Sequence, residues 1–351
     1  MWITDSGNYP YVVARVKAKR RALLPRETYS KFLVMSISEI SRALGETTYR
    51  TEIESMGIKY SGADLVEYGL NMNMANTFKE ILGFSKGHLH DMIASYLDEW
   101  DIWNIKAIIR GLHYGAMKDD IQEELIPAGS HDLKYWRELI MLDSIENVIG
   151  SLKHTDYYEP IAAAWDEYQT TKMLTTLETN LDRAHYQNLL STVYPGSKAE
   201  KLYLEFIQTR IDTINLKTLF RFKVAGGSKS ELYPFLIDGG LDFDRRKLEE
   251  LADSKDVNEL VDKLKPTSVY SKIGKEVEQF KDERSLTRMI NVLDRYFLDI
   301  TKRFAYTSPI SILPVMDYFV RKELEVRNIR AIVRGKSSGL SEEILQDMLV
   351  V

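Results

Sequence analysis

The chain has 351 residues, 44% of them hydrophobic and 28% charged, with 9 prolines and a formal net charge of −5. That length allows about two or three domains, and the long runs rich in Leu, Ala, Glu, Lys and Ile, with no alternating β-branched stretch, favour an all-α fold. The lack of any Cys excludes disulfides, thiol nucleophiles and thiolate metal sites, while the acidic balance argues against a surface built wholly for nucleic acid.

From the N-terminus, "MWITDSGNYPYVV" lacks the segments of a signal peptide, and nowhere does the chain approach about 18 uninterrupted apolar residues. These features predict a cytoplasmic protein that touches a membrane only through a partner. Next, "ARVKAKRRALLPR" carries Arg15, Lys17, Lys19, Arg20, Arg21 and Arg26. On a helix this charge wraps around the axis, as a solvated face or as a site for an acidic protein. Without interleaved aromatic residues it is not a nucleic-acid module. "GHLHD" brings His88, His90 and Asp91 together, but no His-Glu-x-x-His pattern or full ligand set accompanies them, so no metal site is predicted.

At Asn104 the chain reads "NIKAIIRG", at Asn215 "NLKTLFRF" and at Asn328 "NIRAIVRG", spaced by 111 and 113 residues. Other landmarks keep step with this signature. An acid stands three residues before each Asn: Asp101, Asp212 and Glu325. "LIPAG" at Leu125 matches "LIDGG" at Leu236, and "LDR" at Leu181–Arg183 returns at Leu293–Arg295, where the first copy has Leu70-Asn71-Met72. Leu44/Thr47/Tyr49, Leu152/Thr155/Tyr157 and Leu264/Thr267/Tyr270 form a further triple. The unit of roughly 110 residues exceeds a short solenoid repeat. It describes three similar helical domains, at 1–118, 119–230 and 231–351.

At 100° per residue, Ile105, Ile108, Ile109 and Leu112 form an apolar stripe, with Asp101 and Asn104 on or beside it and Lys106 and Arg110 opposite. An acid on an inward face needs a partner. The nearby "LDR" helix predicts ion pairs of Asp212 with Arg183 and of Glu325 with Arg295. The basic pairs Lys106/Arg110, Lys217/Arg221 and Arg330/Arg334 have two readings: intramolecular salt bridges, or like charges presented to an acidic partner. Each signature helix ends at a glycine-containing loop, as expected of a C-cap, and further boundaries fall at Pro25, Pro127, Pro160, Pro195, Pro234 and Pro314.

Catalytic signatures are missing. "GGSKS" at Gly226 has neither the spacing nor the strand-to-helix setting of a phosphate loop, and no serine sits in a nucleophile elbow. No catalytic residue, cofactor or metal is therefore assigned.

The opening "Tyr-x-x-Ala-Arg-Val-Lys-x-Lys" at Tyr11–Lys19, the "LDR" helices, "NIKAIIRG", and "NIRAIVRG" followed by "LSEEIL" together resemble the C subunit of archaeal and bacterial A/V-type rotary ATPases, whose eukaryotic homologue is the d subunit. The resemblance runs from about Tyr11 to Val351. It implies a funnel of three helical domains in pseudo-threefold arrangement, on the cytoplasmic end of the proteolipid ring, receiving the central stalk and transmitting torque without catalysis of its own. Expected partners are then the proteolipid ring and the central-stalk subunits, with no nucleic acid, and the six basic signature residues become candidate contacts. A free-standing three-repeat scaffold for another protein is the alternative.

Overall fold

The computed structural model describes residues 7–227, 229–283 and 285–350, and over them the chain is helical, with no strand among the described residues. Six helices of seventeen residues or more carry the architecture: α1 (Gly62–Phe84), α2 (Gly87–Tyr114), α3 (Thr175–Ser191), α4 (Lys198–Ala225), α5 (Leu286–Thr307) and α6 (Leu313–Ser337). The signature falls on α2, α4 and α6, and the "LDR" or Leu-Asn-Met landmark falls on the helix preceding each. Two compact units result. Among the described residues, one comprises Ala75–Val193 with Gly7 and Asn8; the other comprises Tyr9–Met74 with the chain from Tyr194 to Val350.

In the first unit the apolar stripe of α2, Ile102, Ile105, Ile108 and Ile109, is buried against residues running from Ile121 to Leu181. In the second, Leu216, Leu219 and Phe220 of α4 enter a core that runs from Leu232 to Leu293. There too α6 buries Ile329, Ile332 and Val333 and packs on the early helices Arg26–Val34 and Ile37–Leu44. Each signature helix thus belongs to the core of the segment that follows it, and for α6 that segment is the start of the chain. Cuts at 118/119 and 230/231 run through continuous cores, so the sequence period and the packing unit are out of step by one helix.

Local chemistry sets the helix ends in register. Asp132 and Asp244 cap one pair of corresponding helices, and Ser144 and Asp256 the next, each accepting a backbone amide from three residues on. Gly115, Gly226 and Gly339 lie in the left-handed region just beyond the signature helices, at φ of 69°, 72° and 74°. The glycine after the signature Arg has another role. A Cβ on Gly111 would lie 2.3 Å from Ile121 Cγ1, and one on Gly335 2.1 Å from Leu345 Cδ2. The second copy has Phe222 there, packed on Phe235 at a ring separation of 5.1 Å. One aromatic pair replaces a close helix approach.

Candidate functional site

Each signature Asn is a two-way clamp on backbone twenty-two residues downstream. Asn104 donates to the Ile126 carbonyl at 2.9 Å and accepts from its amide at 2.8 Å. Asn215 does the same with Ile237 at 2.7 and 2.9 Å, and Asn328 with Val350 at 2.8 and 3.0 Å. All three side chains are buried, so each removes two otherwise orphaned backbone groups from the interior. The clamped segments are "LIPAG", "LIDGG" and Met348–Val350. That last segment is the third copy of a landmark that the sequence shows only twice.

The buried acids are satisfied differently from expectation. Asp101 accepts the amides of Ser130 (2.9 Å) and His131 (3.3 Å), the His131 imidazole (2.8 Å) and the Tyr157 hydroxyl (3.2 Å). Asp212 accepts the amides of Leu241 and Asp242, at 2.9 and 2.8 Å. Glu325 accepts the Leu24 amide, the Tyr49 hydroxyl at 2.6 Å and the Lys322 ammonium at 3.2 Å. The predicted pair of Glu325 with Arg295 does not form, and the hydrogen bonds of Asp212 go to backbone amides where the sequence predicts Arg183. Asp101 and Asp212 lie level with the loop beyond their helix, where backbone amides satisfy the side chain. For Glu325 the amide of Leu24 takes that role.

The third glycine role is at these acids. A Cβ on Gly129 would lie 2.1 Å from Asp101 Oδ1, and one on Gly240 1.9 Å from Asp212 Oδ1. Gly240→Ala is expected to cost about 3 kcal/mol, because neither the clamped loop nor the carboxylate has room to retreat; chemical denaturation of the two proteins measures it.

A tyrosine hydroxyl reaches the acid in two copies but not in the other. The second writes one residue more between Thr267 and Tyr270, so Val269 is buried and Tyr270 turns to Glu278 at 2.7 Å. Asp212 Oδ1 is left without a hydrogen bond, and burial pushes this carboxyl up from 3.8 to about 7, against the lowering effect of the amides. The unfolded chain therefore releases the proton near 4 and the folded chain near 7. Stability contributed by protonated Asp212 is complete below the unfolded value and is lost as pH rises through about 7. Wild-type protein should lose up to about 4 kcal/mol on this account, at 1.36 kcal/mol per unit. Asp212→Asn should flatten the profile between pH 5 and 8, measured as unfolding midpoint against pH. Asp98, pushed up to about 6 chiefly by burial, acts in the same sense at slightly lower pH and remains in both proteins.

The basic residues of α2 and α4 meet acids on the next long helix along the chain, and those of α6 meet acids on α1. Lys106 bonds Asp182, and Arg110 bonds Glu178, both at 2.7 Å. Lys217 bonds Asp294, which also receives Arg327. Arg330 bonds Glu67 at 3.1 Å and Asn71, and Arg334 bonds Glu67 and Asp64. The useful residue of "LDR" is thus its Asp, aligned with Asn71 in the first copy. Arg221 is the exception. It is exposed, with no hydrogen bond or ion pair among the described residues, because Ile290 stands where Glu178 and Glu67 stand in the other seams. Burial lowers the Lys217 pKa and raises that of Asp182, in each case against the partner's attraction.

Elsewhere, His90 makes only an exposed contact with Asp91 at 3.3 Å. No group of three metal-ligating side chains occurs among the described residues. No described helix is long and apolar enough to cross a membrane. Ser228 of "GGSKS" lies outside the described residues.

A fold whose deepest polar groups lock a helix to the loop beyond it, three times over, is that of an all-helical structural repeat protein. Comparison with known families gives the class a place: the chain belongs to the family described as ATP synthase (C/AC39) subunit, matched over residues 12–348. It is similar along its length to the C subunits of A-type ATP synthases. That of Methanosarcina acetivorans is 39% identical, over 99% of this chain and 94% of its own. That of Methanococcoides burtonii is 38% identical over 99% and 95%, and that of Haloferax volcanii 36% identical over the whole of both.

Proposed function

We propose that this chain is the non-catalytic rotor component of an A-type ATP synthase, joining the membrane proteolipid ring to the central stalk on the cytoplasmic face and carrying torque between them. Family membership supports a place in that complex. The observation that favours a torque-bearing part is the threefold clamp. Three helices are each tied to a following segment by a buried Asn, two of them also by a buried acid, and each to a neighbouring helix by charged seams, so that relative sliding breaks several hydrogen bonds at once. In this reading five of the six basic signature residues brace neighbouring helices, while Arg221 is left to meet a partner.

The test is retention of purified central-stalk subunits, and separately of detergent-solubilised proteolipid ring, on tagged full-length protein at low and moderate salt. Binding to both is expected. Arg221→Glu should weaken one of the two about tenfold at low salt, as an exposed interface charge does. A folded, helical preparation that retains neither would overturn the reading.

A further inference from the structure

The helix Tyr9–Arg21 and the turn after it hold six cations, Arg15, Lys17, Lys19, Arg20, Arg21 and Arg26, and no acid from Tyr9 to Arg26, in a protein whose net charge is −5. Its inner side is Val12, Val13 and Val16, all buried. At 100° per residue the outer side is Tyr11, Ala14 and Ala18, with Arg15 and Lys17 on its two flanks and Arg21 at its end; all six are exposed. Only part of the charge is used internally. Arg20 pairs with Asp317 at 2.8 Å and Arg15 lies on Tyr11, whereas Lys17, Arg21 and Arg26 have no ion pair or hydrogen bond among the described residues.

We propose that this outer face docks an acidic helix of a protein partner. Complementary charge selects the partner: Lys17 and Arg21 border the face, and no acid of its own helix competes for them. Its middle is two alanines, so a second helix can approach closely enough to bring carboxylates onto these two cations. A lipid surface fits less well, because membrane-binding helices insert large apolar side chains and this face offers one tyrosine. The inference does not depend on the linking role, since any component of the assembled enzyme could supply the helix.

The experiment places a photo-activatable benzoylphenylalanine at Ala18 of the full chain in the assembled A-type ATP synthase, with the same side chain at exposed Ile58 as the control, and maps adducts by mass spectrometry. The expected result is one adduct to a helical segment of net negative charge, reduced at least tenfold by Lys17→Glu with Arg21→Glu. Lys17→Gln with Arg21→Gln should reduce it less and keeps the test readable should the charge reversal disturb folding. Adducts to lipid alone, adducts to a segment that is not acidic, a yield no higher than at Ile58, or a yield unmoved by both double substitutions would each overturn the proposal.

Discussion

Asn215→Ala should destabilise the unit that contains it by about 4 kcal/mol. The side chain is wholly buried, donates to the Ile237 carbonyl and accepts from the Ile237 amide. Alanine leaves both backbone groups in the interior with no water to replace the amide, at about 1–3 kcal/mol each, and opens a small void. Asn215→Asp separates the two bonds. It keeps an acceptor for the amide but sets a carboxyl oxygen against the Ile237 carbonyl, so its deficit should shrink at low pH where the acid is protonated and donates again. Guanidinium unfolding near pH 5 and pH 8 distinguishes the two variants.

Removing the acid of the third copy is expected to have a comparable effect by another route. Lys322 is buried, with its ammonium 3.2 Å from Glu325 and 3.8 Å above the Tyr49 ring. Glu325→Leu deletes the carboxylate bonded to that ammonium and strips the Leu24 amide and the Tyr49 hydroxyl of their acceptor. Breaking a buried pair from one side costs about 3–5 kcal/mol, whereas replacing both members by apolar groups of similar volume is often neutral. Glu325→Leu with Lys322→Met should therefore recover much of the loss. Equal destabilisation of the single and double variants would show that the amide and hydroxyl bonds, rather than the stranded charge, carry the effect.

Much of this was legible in the sequence, and the misses are specific. The period of the signature, the all-helical class and the inward placement of Asp101, Asn104 and their counterparts follow from residue spacing alone, because a helix fixes which side chains share a face. Spacing does not say what those side chains meet. Opposite charge points from the acids to the arginine of "LDR", but backbone amides carry no letter in a sequence, and they hold Asp101 and Asp212. The signature lysines read as a surface, or as generic salt bridges, although Asp182 and Asp294 recur 112 residues apart within the same "LDR" that draws attention to the arginine. The third clamp is hidden for a different reason. Val350 supplies only backbone to Asn328, so Met348–Val350 need not resemble "LIPAG". The offset between period and packing unit is out of reach too, since only the fold brings Leu24 and Tyr49 to Glu325 and Glu67 to Arg330.

The seams also place much of the signature charge between neighbouring helices. Individually exposed ion pairs contribute little, but those at Lys217 and Asp294 are largely buried, with side-chain exposures of 18% and 9%, and they lie beside the Asn clamps on the same helices. Neutralised internally, these groups hold neighbouring helices in register and do not repel one another. Arg221, Lys17 and Arg21 are exposed cations with no ion pair or hydrogen bond among the described residues.

The proposed rotor role is tested most directly by watching the protein turn. A gold particle attached through a single cysteine introduced at exposed Ile58, in an A-type ATP synthase whose catalytic head is fixed to glass, reports the motion of this chain during ATP hydrolysis. Unidirectional rotation in step with a marker on the central stalk is the predicted result. A particle that stays still relative to the head while the stalk marker turns would contradict it.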